Sequence, residues 1–475
     1  MDTHKFEVHE ISNKVKLFYE ARRPFSVYHG TTNSNHSIGD PRAVVNTSGL
    51  RNILDVNVKS RFAMVEPNVP MDSLVKETLR FGLVPPVVPA FPGITVGGTF
   101  SGTSASSSSF KYGFFDRIIT WIEVVLPDGG ITKASKKYNP ELLSGMVGAL
   151  GTVGIVTLFQ IRLVPAKQYV NVKYIPVRST MEALDTLDAA VRGRDNDFVE
   201  GFIYGKHAPS FGVVCVGRWS STQDHPKQQF SRARDPWFYI HALKTEPATE
   251  SVPVTDYVFR YDRGSFCMGR YCFGRLPFNK FTKYITDSAM HSRKLAKTVQ
   301  SLNWSQHFFI QDLVIPVETV ATMLGYLERH LGIYPLRLCP IQQSAPAIMR
   351  PNPRQSGLFI GVGIRGYTAE TINNTERFNE KNRNIERLVR ELGGVKWLYS
   401  RNFCTPEEFW SVYPKAEYDA LRASCNAQYL LDVHEKIHKV EECNSSHRPR
   451  GFWNRIFAYT SVLAQSRASK GSEKP

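Results

Sequence analysis

The spacing of hydrophobic positions divides the first 165 residues into short helices and strands. Apolar residues recur at i, i+3 and i+7 from Val8 to Phe18, which predicts an amphipathic helix over residues 6–21. MDSLVKETLRFG reads as a second helix, with Asp72 near its start and Gly82 after its end, and NPELLSGMVGAL as a third. Strands are expected in FSVY, AVVN, NILDVNV, RFAMV, residues 118–126, residues 131–134 and GIVTLFQIRLVPA.

From about residue 166 the strands and helices become longer. Strands are expected in YVNVKYIPV, FVEGFIYG, FGVVCVGRW, FFIQDLVIPV and LFIGVGIRGY, and helices in STMEALDTLDAAVRG and ETVATMLGYLERHLG. Residues after 396 have helical patterns, and the last stretch is polar and rich in Ser, Arg and Lys. We therefore predict an α+β protein with domains over 1–165 and 166–395, a helical segment over 396–440 and a disordered tail over 441–475.

Composition indicates a folded protein with an excess of positive charge. A chain of 475 residues is too long for one hydrophobic core, so more than one domain is expected. Contents of 42% hydrophobic and 21% charged residues are typical of a globular protein. The net charge of +16 favours an anionic partner. The basic residues are scattered and match no zinc-finger or RNA-recognition signature, so a nucleic-acid partner is not expected. An anionic cofactor and an acidic membrane surface stay open.

Cysteine usage and hydropathy bear on the compartment. The seven cysteines form no CxxC pair and are odd in number, which favours reduced thiols and an intracellular protein. The N-terminus has no signal-type apolar run, and the longest apolar stretch is interrupted by glycines, Gln160 and Arg162. No transmembrane helix is predicted.

Three loops share a composition suited to binding an anion. HGTTNSN (29–35), GGTFSGTSASSS (97–108) and GALGTVGIV (148–156) combine glycines with small residues, and the first two add several hydroxyl groups. Glycines allow backbone amides to approach a phosphate closely, and Ser, Thr and Asn add donors. Each loop alone also fits an ordinary surface loop. Together they favour a large ligand that carries phosphates.

The commoner motifs for phosphates, metals and hydrolysis do not fit. The sequence has no GxxxxGK[ST], and GGTFSG lacks the strand, helix and distal acid of a dinucleotide fingerprint. No HExxH or regular His/Cys spacing indicates a metal site, so none is predicted. No GxSxG marks a hydrolase.

Longer stretches carry a resemblance to a known family. Residues 65–130 and GTVGIVTLFQIRLVPAKQYV (151–170) resemble the FAD-binding domain of the PCMH type, in the vanillyl-alcohol-oxidase superfamily. FIQDLVIPV (309–317), YPLRLCPI (334–341) and LYSRNFCTPEEFW (398–410) resemble segments of the delta(24)-sterol reductases of the Diminuto/Dwarf1 group. The resemblance covers most of residues 8–440.

This resemblance implies a two-subdomain FAD-binding domain over 1–165, an α+β substrate cap over 166–395 and a helical return over 396–440. FAD would lie extended, with its diphosphate against 30–34 and 97–107 and its flavin ring near 151–155. The residues expected to bind the cofactor are Gly30, Thr31, Thr32, Asn33, Ser34, Thr95, Val96, Gly97, Gly98, Gly102, Thr103, Ser104, Ser106, Ser107, Tyr112, Gly113, Gly151, Gly154 and Ile155.

The sequence departs from the family's pattern in two ways. Many members attach FAD covalently through a His in the first loop or a Cys in the second. Here the second loop has no Cys, and His29 and His36 lack the usual Gly-Gly-His setting, so we expect non-covalent FAD, with His36 a solvated loop residue. The N-terminal membrane segment typical of animal sterol reductases is also missing. We expect a cytoplasmic protein or one peripherally associated with the endoplasmic reticulum membrane.

Reduction of a C=C bond needs a hydride from the flavin and a proton from an acid beside it. The candidates for the catalytic groups are Tyr257, Arg260, Tyr261, Gln311, Asp312 and Tyr399, with Arg263 beside the first three. The tyrosines and arginines of residues 256–266 have an alternative interpretation, as aromatic residues on the face of a strand with solvated arginines. Asp312 is equally consistent with a structural ion pair, and Tyr399 with a core tyrosine. Lys111 and Tyr112 are expected to shape the cofactor loop.

The resemblance implies an FAD-dependent reductase of a sterol- or terpenoid-like lipid, with NADPH as the electron donor. One alternative keeps FAD but oxidises an alcohol or secondary metabolite with oxygen as the acceptor. Another is a non-catalytic lipid-binding relative. The sequence specifies neither the lipid nor the oligomeric state.

Overall fold

A computed structural model describes residues 2–30, 42–193, 195–273, 276–301, 308–343, 347–349, 357–372 and 374–444. The predicted α+β class is confirmed. Of the cofactor residues expected from the sequence, Thr31, Thr32, Asn33 and Ser34 lie outside the described residues, as do His36 and positions 445–475 of the expected tail. Within those ranges, no helix combines the length and apolarity that a bilayer crossing requires.

The first 165 residues form small sheets covered by short helices. The helices are α1 (Asp2–Glu20), α2 (Met71–Leu79), α3 (Val96–Ser101), α4 (Ser109–Tyr112) and α5 (Pro140–Met146). The strands are β1 (Ser26–Tyr28), β2 (Val44–Asn46), β3 (Ile53–Asn57), β4 (Phe62–Val65), β5 (Leu83–Val84), β6 (Ile119–Val125), β7 (Ile131–Ser135), β8 (Ile155–Arg162) and β9 (Val164–Pro165). The main sheet is antiparallel, in the order β3-β4-β8-β6-β7.

Helix α1 packs on this sheet through the apolar face that its sequence predicts. Val8, Ile11, Val15 and Phe18 are buried, and they share a cluster with residues of β2, β6 and β8. His4 adds a polar contact, because its imidazole lies 2.7 Å from the carboxylate of Glu66 and 3.0 Å from that of Glu123. Burial alone would lower the pKa of His4, but the two carboxylates outweigh burial and raise it to about 9.

The next region is built on one eight-stranded antiparallel sheet. Its strands are β10 (Tyr169–Val177), β11 (Phe198–Ile203), β12 (Gly212–Ser220), β13 (Ala248–Pro253), β14 (Phe309–Pro316), β15 (Leu336–Gln342), β16 (Leu358–Gly366) and β17 (Val395–Lys396). Its helices are α6 (Thr180–Arg192), α7 (Phe238–His241), α8 (Val254–Val258), α9 (Lys280–Thr286), α10 (Ser292–Ser301), α11 (Val320–His330) and α12 (Thr375–Glu391). The strand order is β13-β10-β12-β11-β15-β16-β14-β17. Helices α6, α11 and α12 bury their apolar residues in one core with strands of this sheet.

The last described helices return to the first sheet. They are α13 (Pro406–Trp410), α14 (Lys415–Ser424) and α15 (Val433–Asn444). The Tyr418 hydroxyl lies 2.6 Å from that of Thr152, and Tyr429 donates a hydrogen bond of 2.7 Å to the carbonyl oxygen of Pro127. These contacts agree with the expected helical return, while the domain boundaries stay a prediction.

Two local predictions are wrong. The glycine- and serine-rich stretch was expected to be loop, yet it contains α3 and α4. Helix α3 forms because Thr95 caps it, with its hydroxyl oxygen accepting a hydrogen bond of 3.1 Å from the amide of Gly98. The alternative interpretation of residues 256–266 as a strand face with solvated arginines also fails. This segment contains the end of α8 and a turn, and Arg260 and Arg263 are both buried.

Candidate functional site

The second glycine-bearing loop has an open part and a closed part. Gly97, Gly98, Gly102 and Ser104 are partly or fully exposed, whereas residues 106–110 are buried. The amide of Gly97 donates to the carbonyl oxygen of Pro67 at 2.8 Å, and the amides of Val96 and Gly98 also have partners within the protein. Over 96–107, the described contacts leave the amides of Ala105 and Ser107 without a protein acceptor. Of the two, Ala105 lies in the partly exposed part of the loop, so its amide is available to a ligand, whereas Ser107 is buried.

The hydroxyl groups of the closed part bind the protein itself. Ser106 and Ser108 share a hydrogen bond of 2.8 Å, and Ser108 also donates to the carbonyl oxygen of Pro86 at 2.7 Å. The Ser107 hydroxyl accepts a hydrogen bond of 3.0 Å from Arg260. These serine hydroxyls hold the loop against the rest of the protein. Binding of a phosphate-bearing ligand is therefore left to the open residues 97–105.

A series of hydrogen bonds places His29 and Gly30, the described start of the first loop, beside the second loop. The carbonyl oxygen of Tyr28 accepts from the amide of Thr47 at 2.8 Å, and the Asn68 side chain donates to the carbonyl oxygen of Thr47 at 2.5 Å. Asn68 follows Pro67, whose carbonyl binds Gly97 of the second loop. Gly30, with φ of +69°, begins the first loop against Ser48, where an added Cβ would lie 2.9 Å from the Ser48 side chain.

The third loop has the backbone of a tight turn. Leu150 and Gly151 have φ of +51° and +78°, and the Thr152 hydroxyl binds that of Tyr418. Gly154 is required for packing, because an added Cβ would lie 2.9 Å from Val124 and 3.0 Å from the carbonyl oxygen of Val125. Ile155 is buried at the start of β8. Gly151 is thus the predicted cofactor residue of this loop that stays open, with only Lys436 and the carbonyl oxygen of Gly154 within 4 Å of an added Cβ.

Lys436 of α15 is a site residue that was not predicted from the sequence. Its ammonium donates a hydrogen bond of 2.5 Å to the carbonyl oxygen of Leu150, and no carboxylate of the described residues pairs with it. Burial lowers the pKa of Lys436 to about 8. Burial, and then the charge of Lys436, also lower the pKa of His29 in the first loop. Lys436 is therefore a cation near His29 and the third loop that has no anionic partner among the residues described.

The remaining cofactor candidates shape the loop. Thr103 has φ of +49°, and its carbonyl oxygen accepts a hydrogen bond of 3.0 Å from the indole of Trp397. Gly113 has φ of +73° after α4. Tyr112 is partly buried, and Lys111 forms an ion pair of 3.0 Å with Asp197. These contacts agree with the shaping role expected of Lys111 and Tyr112.

Tyr257, Arg260 and Tyr261 form one buried cluster around Glu200. Arg260 lies 2.6 Å from the Glu200 carboxylate, and the Tyr261 hydroxyl donates to it at 2.5 Å. Arg337 provides a second cation at 3.1 Å. Burial would raise the pKa of Glu200, but the charges of Arg260 and Arg337 outweigh it and hold this pKa below its ordinary value. Glu200 is therefore a buried carboxylate that neutralises the buried Arg260 and the partly buried Arg337.

A small pocket opens between this cluster and the closed part of the second loop. It is lined by Ser106, Ser107, Tyr257 and Arg260, among others. Tyr261 is fully buried among Phe202, Phe238 and Phe266, so its ring is part of the core. Tyr257 and Arg260 are thus the members of the cluster that face the pocket.

Asp312, Arg365 and Tyr399 form a second polar cluster. The Tyr399 hydroxyl and the Arg365 guanidinium both donate to the same carboxylate oxygen of Asp312. Asp312 is therefore in the ion pair that the sequence offered as an alternative. An added Cβ at Gly102 would lie 3.8 Å from the Tyr399 ring, so this cluster borders the open part of the second loop. Gln311 is buried and donates to Asn382 at 2.8 Å, so it faces the core.

The two polar clusters lie on one face of the eight-stranded sheet. Gly363 is paired with Arg337 on one side and with Asp312 on the other. Directly paired residues project to the same face of a sheet. An added Cβ at Gly363 would lie 2.9 Å from the Asp312 carboxylate, so glycine leaves room for that side chain. The face carries the carboxylates of Glu200 and Asp312 with Arg337 and Arg365, and Arg260 packs against it from the segment after α8, so the excess positive charge suits an anionic ligand.

The arrangement fits a dinucleotide with a flavin. The open part of the second loop supplies the amide of Ala105, Lys436 supplies a partly buried cation, and the polar sheet face borders the loop at Gly102. Within the described ranges, no three His, Cys, Asp or Glu residues are grouped so that they could hold a metal ion.

Comparison with known proteins agrees with this geometry. Residues 7–135 match the family described as FAD binding domain. The human delta(24)-sterol reductase is 29% identical over 405 residues, which cover 82% of this chain and 77% of the human protein. The delta(24)-sterol reductase of Arabidopsis thaliana is 27% identical over 81% of this chain and 74% of its own length. Cytokinin dehydrogenase 1 of Arabidopsis thaliana is 34% identical over 134 residues, 28% of this chain and 23% of that protein.

These similarities extend beyond the FAD-binding region into the eight-stranded sheet and its polar face, since a match over four fifths of the protein has to continue past residue 165. The predicted resemblance is thereby confirmed. The protein is an FAD-dependent oxidoreductase that carries an FAD-binding domain of the PCMH type and is similar to the delta(24)-sterol reductases.

Proposed function

We propose that the protein reduces a C=C bond of a sterol- or terpenoid-like lipid with FAD as cofactor and NADPH as electron donor. The observation that carries this proposal is the closeness of Gly102 to Tyr399, whose ring would lie 3.8 Å from a Cβ added at Gly102, so that the expected cofactor loop borders a polar group of the sheet face. The similarity to delta(24)-sterol reductases over 82% of the protein supports the substrate class. Bound FAD would supply the hydride, so the protein has to bind the cofactor and supply the proton.

The cofactor would be held by the three loops and Lys436. The diphosphate carries two negative charges, and Lys436 is a partly buried cation whose three N–H groups have one protein acceptor within the described residues. Gly97, Gly98 and Gly102 have no side chains, so the cofactor could approach the loop backbone closely, and the amide of Ala105 would add a donor. Because the second loop has no cysteine, the cofactor would be bound without a covalent bond.

We infer that Tyr399 is the proton donor. Its pKa is raised well above the ordinary value, by burial and then by the charge of Asp312, so the phenol stays protonated at neutral pH. Arg365 opposes part of this rise and would stabilise the phenolate that remains after the proton leaves. Asp312 positions both groups. Tyr257 is the alternative donor, because it faces the small pocket beside Ser107.

A second function is an FAD-linked oxidase or dehydrogenase that uses oxygen. The similarity to cytokinin dehydrogenase 1 favours it, but that match covers 28% of the protein. Anaerobic addition of NADPH to the purified protein separates the two. The proposal expects the visible flavin absorbance to bleach, and a sterol that contains a C=C bond outside its rings to restore it. Flavin that is bleached by an alcohol and not by NADPH, with peroxide formed in air, would establish the oxidase.

A further inference from the structure

The segment around α9 exposes an unusual number of large apolar side chains. Within ten residues, five such side chains are more than a third exposed: Leu276 (47%), Phe278 (40%), Phe281 (70%), Tyr284 (58%) and Ile285 (59%). Single exposed apolar residues are common on protein surfaces, but a contiguous group of this size marks an interaction site.

The local structure gathers these residues on one side. Asn279 and Thr282 form a capping box that starts α9, and Thr282 is the buried residue of the helix. Phe281, Tyr284 and Ile285 have the i, i+3, i+4 spacing of one helical face, and that face is exposed. A helix that packs on a core has the opposite arrangement.

Positive charge surrounds the apolar face. Residues 276–301 contain five lysines and arginines and one acidic residue, Asp287. Asp287 is already paired with Arg263 at 2.7 Å and lies 3.5 Å from His291. Lys280 of α9 and Lys294 and Lys297 of α10 are exposed. Aromatic and aliphatic side chains with lysines around them are the combination that inserts into an anionic lipid interface.

We propose that this surface, residues 276–297, docks on a bilayer that contains anionic phospholipid. The apolar side chains of α9 would enter the boundary between headgroups and acyl chains, and the lysines would contact lipid phosphates. The docking itself does not depend on the proposed function, whereas its use in supplying a lipid substrate does.

The surface is firmly joined to the segment that carries Arg260 and Tyr261. Arg263 binds Asp287, the amide of Gly264 donates to the carbonyl oxygen of Met290 at 2.8 Å, and Asp262 binds His291 at 2.6 Å. Lys283 and Phe278 also pack against each other and against Trp237. The bilayer would therefore lie next to the region of the polar sheet face.

The test is flotation of the full-length protein, with FAD added, on phosphatidylcholine vesicles with or without phosphatidylserine. The proposal expects binding that requires phosphatidylserine and weakens with salt. The double variant F281S/I285S should lose about tenfold or more of this binding, because two apolar side chains no longer enter the interface. The double variant K280E/K294E should no longer bind vesicles that contain phosphatidylserine, because it replaces two positive charges with negative ones.

The matched control is Y138S/M181S, which changes two side chains of similar exposure, 61% and 57%, elsewhere on the surface. It should bind vesicles as the wild type does, and all variants should keep the thermal unfolding midpoint and the FAD affinity of the wild type. Wild-type protein that does not float, or an F281S/I285S variant that floats equally well, overturns the proposal. The proposal is also overturned if the wild type does not bind vesicles and light scattering shows that it is a dimer which the F281S/I285S substitutions dissociate. The surface would then be an interface with a second copy of the protein.

Discussion

The ammonium of Lys436 donates a hydrogen bond of 2.5 Å to the carbonyl oxygen of Leu150, which joins α15 to the third glycine-bearing loop. The two residues are 286 positions apart in the sequence, so the proposed cofactor site would be completed only when the C-terminal helices fold back on the first sheet. Under the proposal, this contact gives the last helices a direct part in cofactor binding.

Replacing Lys436 with Met should weaken FAD binding by about tenfold to a hundredfold, because a charged hydrogen bond to a diphosphate contributes roughly 1.5–3 kcal/mol. The measurement is fluorescence titration of apoprotein with FAD. K415M is the control, since Lys415 is exposed on α14 and pairs with Asp419. Equal affinity of K436M and wild type would remove Lys436 from the site.

Replacing Tyr399 with Phe should lower the rate of C=C reduction by about 10²–10⁴, since it removes the proton donor. FAD affinity and the rate of flavin bleaching by NADPH should stay unchanged. Y257F is the companion variant, and it should retain most of the activity. If Y257F lowered the rate of C=C reduction and Y399F did not, the proton donor would be Tyr257 in the small pocket.

Replacing Glu200 with Gln should destabilise the protein by about 3 kcal/mol, because it leaves the buried Arg260 beside an uncharged group and also removes the partner of the partly buried Arg337. Urea unfolding measures this loss. The control is D188N, which breaks the exposed pair of Asp188 with Arg192 and should cost less than about 1 kcal/mol. Similar stabilities of the two variants would contradict the part assigned to Glu200.

Stability should fall with rising pH as His4 loses its proton. Its pKa is raised from 6.5 to about 9 in the folded protein, so its contribution is complete below pH 6.5 and is lost as the pH rises through about 9. His291, beside Asp262 and Asp287, has a similarly raised pKa and titrates in the same range. The difference in unfolding free energy between wild type and H4Q should therefore shrink across this window. A difference that stays constant from about pH 6 to about pH 10 would rule out this role.

The sequence predicted regular elements well where periodicity was long. The apolar spacing from Val8 to Phe18 specified α1, and the alternating pattern of residues 169–177 specified β10. Helix α3 was missed because glycine and serine disfavour helix formation locally, and the Thr95 cap together with the hydrogen bond to Pro67 decides the outcome.

The candidate site was predicted less completely, because its geometry depends on distant contacts. Ser106 and Ser107 were expected to face the cofactor, but the hydroxyl of Ser106 shares a hydrogen bond with Ser108 and that of Ser107 accepts one from Arg260. Arginine patterns in a sequence do not reveal burial, and Glu200 lies 60 positions from Arg260. Lys436 carried no local signal at all, since a lysine in an amphipathic helix usually lies in solvent.

The absorbance spectrum of the purified full-length protein, recorded before and after acid precipitation, tests the central claim most directly. The claim is that three glycine-bearing loops and Lys436 bind FAD without a covalent bond. The spectrum should show bound flavin, and acid should release all of it into the supernatant. A colourless protein that takes up no flavin after incubation with FAD and gel filtration would contradict the claim.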